Sequence, residues 1–212
     1  LPTDDIYDAI QREQILTLYK KQIQPANCNL FVAGNVDESL STLIDEIFGQ
    51  KWQNSEEFVK TTSLNFDPYS TELFVEEKPD ALQSAVRFGG LTINRRHVDF
   101  PALQFVNTLF GGFFGSRLMK NIREEKGYTY SIGSFMGNLR HTGFMTLASE
   151  VGVEVTQKTL DEIKKEFDVL RQEKTSTEEI DLVRNYMQGT LLGSIESIFS
   201  HVDKFKAVYF SG

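Results

Sequence analysis

Between residues 6 and 23, Ile6, Ile10, Leu16, Tyr19 and Ile23 recur among polar residues at roughly helical spacing, which predicts a helix stopped by Pro25 and Asn27. The apolar run 30–33, ended by Gly34 and Asn35, predicts a short buried strand. Asp37 is a good N-cap, and Leu40, Leu43, Ile44, Ile47 and Phe48 follow it at helical spacing up to Gly49. The first fifty residues thus read helix, strand, helix. Residues 51–71 are polar and mixed, contain Pro68, and read as a linker.

The pattern then changes. Residues 72–77 and 82–93 read as strands, and in the second Leu82, Val86 and Phe88 fall on one face of a half-buried sheet. Asp99 and Pro101 open a helix in which Leu103, Val106 and Phe110 share a face. A glycine cluster follows (Gly111, Gly112, Gly115), and Ser116 caps a second short helix that ends at Gly127. Residues 128–134 and 143–150 read as two strands joined by a polar turn around Asn138. Residues 155–170 form an amphipathic helix with Leu160, Ile163, Phe167 and Leu170 on one stripe. Ser176 and Glu179 make a capping box for a last helix that runs past Gly189. Strands and helices mixed in this order predict an α+β fold, a largely antiparallel sheet with helices packed on one face.

Composition narrows the function classes. The chain has 212 residues, 40% of them hydrophobic, with 17 Phe and 7 Tyr to fill a core. A net charge of -8 argues against nucleic acid as a partner, because phosphate neutralisation needs a basic surface. Cys28 is the single cysteine, which excludes an internal disulfide, and it reads as a small buried residue. No apolar stretch approaches the roughly 20 residues of a membrane span, so no membrane partner is expected. Residues 1–8 are acidic and polar, and no targeting signal is visible; the reading is a soluble chain of the cytoplasm or periplasm.

A zinc peptidase needs closely placed His and carboxylate ligands, plus a carboxylate to take a proton from metal-bound water. His97, His141 and His201 lie far apart, and none has a partner at HExxH or HxxEH spacing, so each reads as a surface or loop His and no metal ligand is assigned. There is no G-x-S-x-G, and the glycine cluster lacks the Lys-Ser/Thr of a phosphate loop. On residues alone that cluster is a flexible link, Arg123 a helix-surface salt bridge and Tyr130 a half-buried strand aromatic. The chain then reads as an α+β domain without a catalytic centre of its own.

Residues 111–134, GGFFGSRLMKNIREEKGYTYSIGS, closely resemble a segment in the second half of insulinase (pitrilysin) family zinc metallopeptidases, the HxxEH type, and are similar to the mitochondrial processing peptidase subunits. The run Phe31-Val32-Ala33-Gly34-Asn35-Val36-Asp37 looks like the strand-turn-helix that closes the family's first half. Gln188-Gly189-Thr190-Leu191 with Glu196-Ser197 is similar to a helix near the end of the second. The resemblance implies two related α+β halves facing each other around a peptide. One half carries HxxEH, zinc and the general base; the other lacks the metal and closes the chamber. It assigns this chain to the second half, with zinc in the complementary half and none bound here. The partner is then an HxxEH-bearing N-terminal half or a separate catalytic subunit, and the substrate a peptide. Arg123 and Tyr130, seven residues apart, match the pair that reaches across to substrate and transition state. Gly111, Gly112 and Gly115 match the loop that lets backbone approach an extended peptide, while Arg117 fixes the helix or its loop. Tyr128 stands where the family usually has an aliphatic residue. The alternative is an inactive homologue serving as a structural or partner subunit. The expected organisation is residues 1–50 from the end of the preceding repeat, a linker at 51–71, and a C-terminal-half domain over 72–212 that stops before its final elements. On that expectation, residues 6–50 fold back to complete the sheet.

Overall fold

Local chemistry sets the element boundaries in this computed structural model, which describes residues 3–53 and 73–211. The chain divides into two units, one of residues 1–65 with 197–206 and one of 66–196 with 207–212. In the first, the single helix expected over 6–23 is two, α1 (Asp4–Asp8) and α2 (Arg12–Gln22). The break has a local cause. Gln11 is extended, and its N–H donates to the Gln14 side chain at 2.8 Å, so the backbone restarts there with its own cap. Asp37 caps α3 (Glu38–Ile44): its Oδ1 accepts from Leu40 N–H at 2.9 Å and Ser39 Oγ at 2.8 Å. The Leu40 N–H, then the Ser39 hydroxyl, hold its carboxyl below the usual range. The helix continues as wider π-type turns over Asp45–Gln50.

Two expectations for this unit are corrected. Residues 30–33 are not a strand, and the sheet takes no strand from residues 6–50. Leu30 and Val32 stay 54% and 42% exposed, so no sheet face covers the alternate side chains from which strand preference arises. Cys28 is exposed, not buried.

The second unit is built on β1 (Gln83–Thr92), β2 (Thr129–Asn138) and β3 (Gly143–Gly152), in the antiparallel order β1-β3-β2. Alternation sorts their side chains. Val86, Ile132, Leu147 and Val151 turn to one face and form a core with Phe110, Leu118, Met119, Ile122 and Ile163. The opposite face leaves Leu91 and Phe135 exposed. The covering helices are α4 (Phe100–Asn107), which opens into π-type turns over Thr108–Gly112, a helical stretch 117–125, and α5 (Thr156–Gln172). Leu118 and Ile122 are fully buried, and burying each stabilises the fold by about 1.5–3 kcal/mol. In α6 (Thr177–Gly193), Ser176 Oγ accepts from Glu179 N–H at 3.2 Å while Glu179 accepts from Ser176 N–H at 3.4 Å, the reciprocal cap read from the sequence. The last helix is α7 (Ile198–Ser211).

The expected α+β class, an antiparallel sheet with helices on one face, is the observed one. Residues 73–77, expected as part of a strand, are irregular; Leu73 and Phe74 are 81% and 83% exposed. The expected linker lies, beyond Gln53, outside the described residues, as does Glu72. No helix among the described residues is long and apolar enough to cross a membrane.

Candidate substrate-contact site

The segment from α4 to β2 carries the site residues. After Gly112 the chain turns through Phe113, Phe114 and Gly115, enters the 117–125 stretch, and leaves it at Gly127 with φ +64°, a left-handed value that glycine adopts without strain. Gly127 N–H donates to Arg123 O at 3.2 Å and Tyr128 N–H to Ile122 O at 3.0 Å, which satisfies two last-turn carbonyls.

β2 then begins irregularly. Its register against β3 shifts between Thr129 and Ile132, so Tyr130 and Ser131 form a bulge. Hydroxyls pin it. Thr129 Oγ1 donates to Glu150 O at 2.6 Å and accepts from Ser131 N–H at 3.2 Å and Ser149 Oγ at 2.9 Å. Tyr130 is thereby turned out of the sheet and is 91% exposed.

Arg123, on the last turns of the preceding stretch, is half-buried, and its guanidinium carbon sits 4.7 Å from the centre of the Phe114 ring. Among the described residues no carboxylate pairs with it. The two bland readings therefore differ from what is found: Arg123 is not a surface salt bridge, and Tyr130 is not half-buried. Phe114 was not singled out in the sequence; an aromatic pair between glycines, followed by an arginine, is the signal that could have found it.

The glycine loop is anchored to α6 twice. Arg117 Nε and Nη2 donate to the two Glu179 oxygens at 2.8 and 2.9 Å, and the Phe113 ring stacks on Tyr186 at 4.5 Å. These hydrogen bonds, and after them the paired charges, raise the Arg117 pKa and hold the Glu179 carboxyl below the usual range. The following stretch is tied to α5 by Asn121 Nδ2, which donates to Glu166 at 2.7 Å and Glu162 at 3.1 Å, and by Lys126, 3.3 Å from Glu162. Burial alone would raise Glu162, but the bonds from Asn121 and Lys126 outweigh it and leave its carboxyl lowered.

The three glycines separate. Gly111 is buried, and a Cβ there would lie 2.8 Å from Ser134 N and 2.9 Å from Leu118 Cδ1, so its missing side chain serves the packing against β2 and not an open groove. Gly112 and Gly115 are exposed. His97, His141 and His201 are all exposed, and among the described residues no group of three or more His, Cys, Asp or Glu is arranged to hold a metal ion.

Comparison with known proteins identifies the family of the chain. The chain belongs to the peptidase M16 inactive domain family, whose pattern matches residues 9–187. It is 26% identical over 181 residues to the uncharacterized zinc protease YmxG of Bacillus subtilis, covering 85% of this chain and 43% of that protein. It is also 26% identical over 198 residues to a B. subtilis protein named "Probable inactive metalloprotease YmfF", covering 92% of this chain and 45% of that one. The chain thus spans less than half the length of these curated relatives. A crystal structure of a peptidase M16 inactive domain from Pseudomonas fluorescens superposes with a TM-score of 0.80 at 20% identity, over 98% of this chain and 49% of that chain. A protease from Helicobacter pylori gives 0.77 at 18%, over 99% and 51%. At these identities the structural likeness shows the fold.

Proposed function

We propose that this chain is the non-catalytic, substrate-embracing half of a zinc-dependent metallopeptidase, with the metal and HxxEH on a complementary half or a separate subunit. The observation that carries this reading is the presentation of Tyr130, 91% exposed on a bulge that three hydroxyl bonds hold in place. A solvent-exposed tyrosine needs no such support for folding. It does need it to aim a hydroxyl, since a donor stabilises a developing oxyanion only when fixed beforehand. Arg123, stacked on Phe114, complements it with a planar fork of donors that no carboxylate engages among the described residues, suited to peptide carbonyls or a carboxylate. Gly112 and Gly115 are exposed on the loop that precedes it.

The second reading, an inactive partner subunit, draws on the name of YmfF. The presence of both an exposed Tyr130 and an Arg123 with no carboxylate partner among the described residues favours the first. The test is to purify the protein from its source, identify its full length and any co-purifying chain by mass spectrometry, and assay peptide hydrolysis with and without a chelator. An HxxEH motif on either chain together with chelator-sensitive hydrolysis is expected; absence of both leaves the pseudo-enzyme.

A further inference from the structure

One end of the sheet is basic although the chain carries a net charge of -8. Thr92 of β1 and Asn138 of β2 both lie opposite Gly143 of β3, so the three strands finish together. Beyond them, Asn94 Nδ2 donates to the carbonyls of Leu139 and Arg140, each at 3.3 Å, and clamps the loop after β1 to the β2–β3 turn. That clamp brings Arg95, Arg96 and His97 onto one rim with Arg140 and His141, all exposed. Three of the chain's nine Arg and two of its three His are gathered there from two stretches some forty residues apart.

The rim is poorly neutralised. Asp99 lies 3.7 Å from His97 Nδ1, and Arg96 Nε donates to the Ser211 carbonyl at 2.6 Å. Among the described residues no carboxylate is within ion-pair distance of Arg95, Arg96 or Arg140, whereas Arg87, Arg117 and Arg184 pair with Glu150, Glu179 and Asp181. Guanidinium forks suit carboxylates, and a small basic region on an acidic body concentrates the attraction for anionic groups at one place.

The rim also has a fixed relation to the candidate site. Tyr130 is at the start of β2 and Asn138 at its end, eight residues on, which is about 26 Å of extended chain. We propose that Arg95, Arg96 and Arg140, gathered by Asn94 at the far end of β2 from Tyr130, bind carboxylates of an extended peptide about eight residues from the bond held at Tyr130. This rests on the substrate-contact reading above and adds a substrate class to it, peptides with an acidic stretch at a set distance.

The experiment uses the full-length protein and fluorescent peptides with one common core. Three Glu residues are placed eight residues from the core bond, or two residues from it, or are replaced by Gln; all carry C-terminal amides. A fourth, the Gln peptide as free acid, separates a terminal carboxylate from side chains. Binding is followed by anisotropy at low and high salt with a chelator present, and hydrolysis of the same peptides is followed separately without it. The distal-Glu peptide is expected to bind about threefold to tenfold more tightly than its Gln counterpart at low salt, and the advantage should fade at high salt. In the double variant Arg95→Gln/Arg140→Gln it should be lost, while the Gln peptide binds as before. Tighter binding of the free-acid Gln peptide identifies the terminal carboxylate as an equal occupant and supports the same site. Equal binding of distal-Glu and Gln peptides, no binding of either, an equal advantage for the proximal Glu group, or an advantage that survives the double variant overturns the proposal. Loss of hydrolysis, or its indifference to Tyr130, bears on the parent reading alone.

Discussion

The Arg123 guanidinium carbon lies 4.7 Å from the centre of the Phe114 ring, and among the described residues no carboxylate pairs with it. A cation over an aromatic face at an exposed site is worth about 0.5–1 kcal/mol. Phe114 is itself 61% exposed, so its ring contributes little to the core.

If Phe114 aims Arg123, Phe114→Leu should lower kcat/KM for peptide hydrolysis by about twofold to fivefold, and Phe114→Trp should keep it near the parent value. In an Arg123→Gln background, Phe114→Leu should have no further effect. Additive losses in that double-mutant cycle would show that the ring acts independently.

Arg117 and Glu179 should matter for stability. Arg117→Met leaves α6 without its bidentate partner, and a loss of about 1–3 kcal/mol is expected, toward the lower end because the Glu179 side chain keeps 35% exposure. The folded pKa of Glu179 is lowered, so its contribution is complete above the unfolded glutamate value of about 4.3 and is lost as pH falls through the folded value. Asp37 and Glu162 are lowered as well and act in the same direction. Urea unfolding of the parent and Glu179→Gln should therefore differ at neutral pH and converge in acid. A gap that widens in acid would contradict the pairing.

Gly111→Ala should destabilise by about 1–3 kcal/mol, because the new methyl meets backbone at Ser134 N, 2.8 Å away, and neither strand nor turn can yield cheaply. Gly189, inside α6 with nothing near its Cβ position, is the control: Gly189→Ala should stabilise by about 0.5–1 kcal/mol. Thermal melts of the two variants decide between a packing role for Gly111 and a merely flexible loop, which would tolerate alanine.

What could be read from the sequence was local. The Ser176/Glu179 cap and the Asp37 cap each depend on neighbours a few residues away and are where the pattern placed them; of the face expected for the strand over 82–93, Val86 is buried while Leu82 and Phe88 are exposed. The resemblance over residues 111–134 pointed to the family. The remainder depended on distant partners. Residues 30–33 and 73–77 have strand-like composition, but composition does not supply a neighbouring strand. Gly111 looked like loop freedom because Ser134 and Leu118, which crowd it, are remote or on the next turn. The bulge that exposes Tyr130 is fixed by Ser149 and Glu150 on another strand, and the basic rim by one Asn94 side chain reaching across the sheet.

Tyr130→Phe in the full-length, assembled protein is the most direct test of the proposed substrate-contacting half. The side chain is 91% exposed, so removing its hydroxyl should change stability by no more than about 0.5 kcal/mol, and any kinetic loss is not unfolding. Steady-state hydrolysis of a peptide should show kcat lower by at least about tenfold, and by about 10²–10³ if the full oxyanion contact is lost, with KM little changed. A kcat equal to that of the parent protein would contradict the role assigned to Tyr130 and, with it, the substrate-contact reading of this domain.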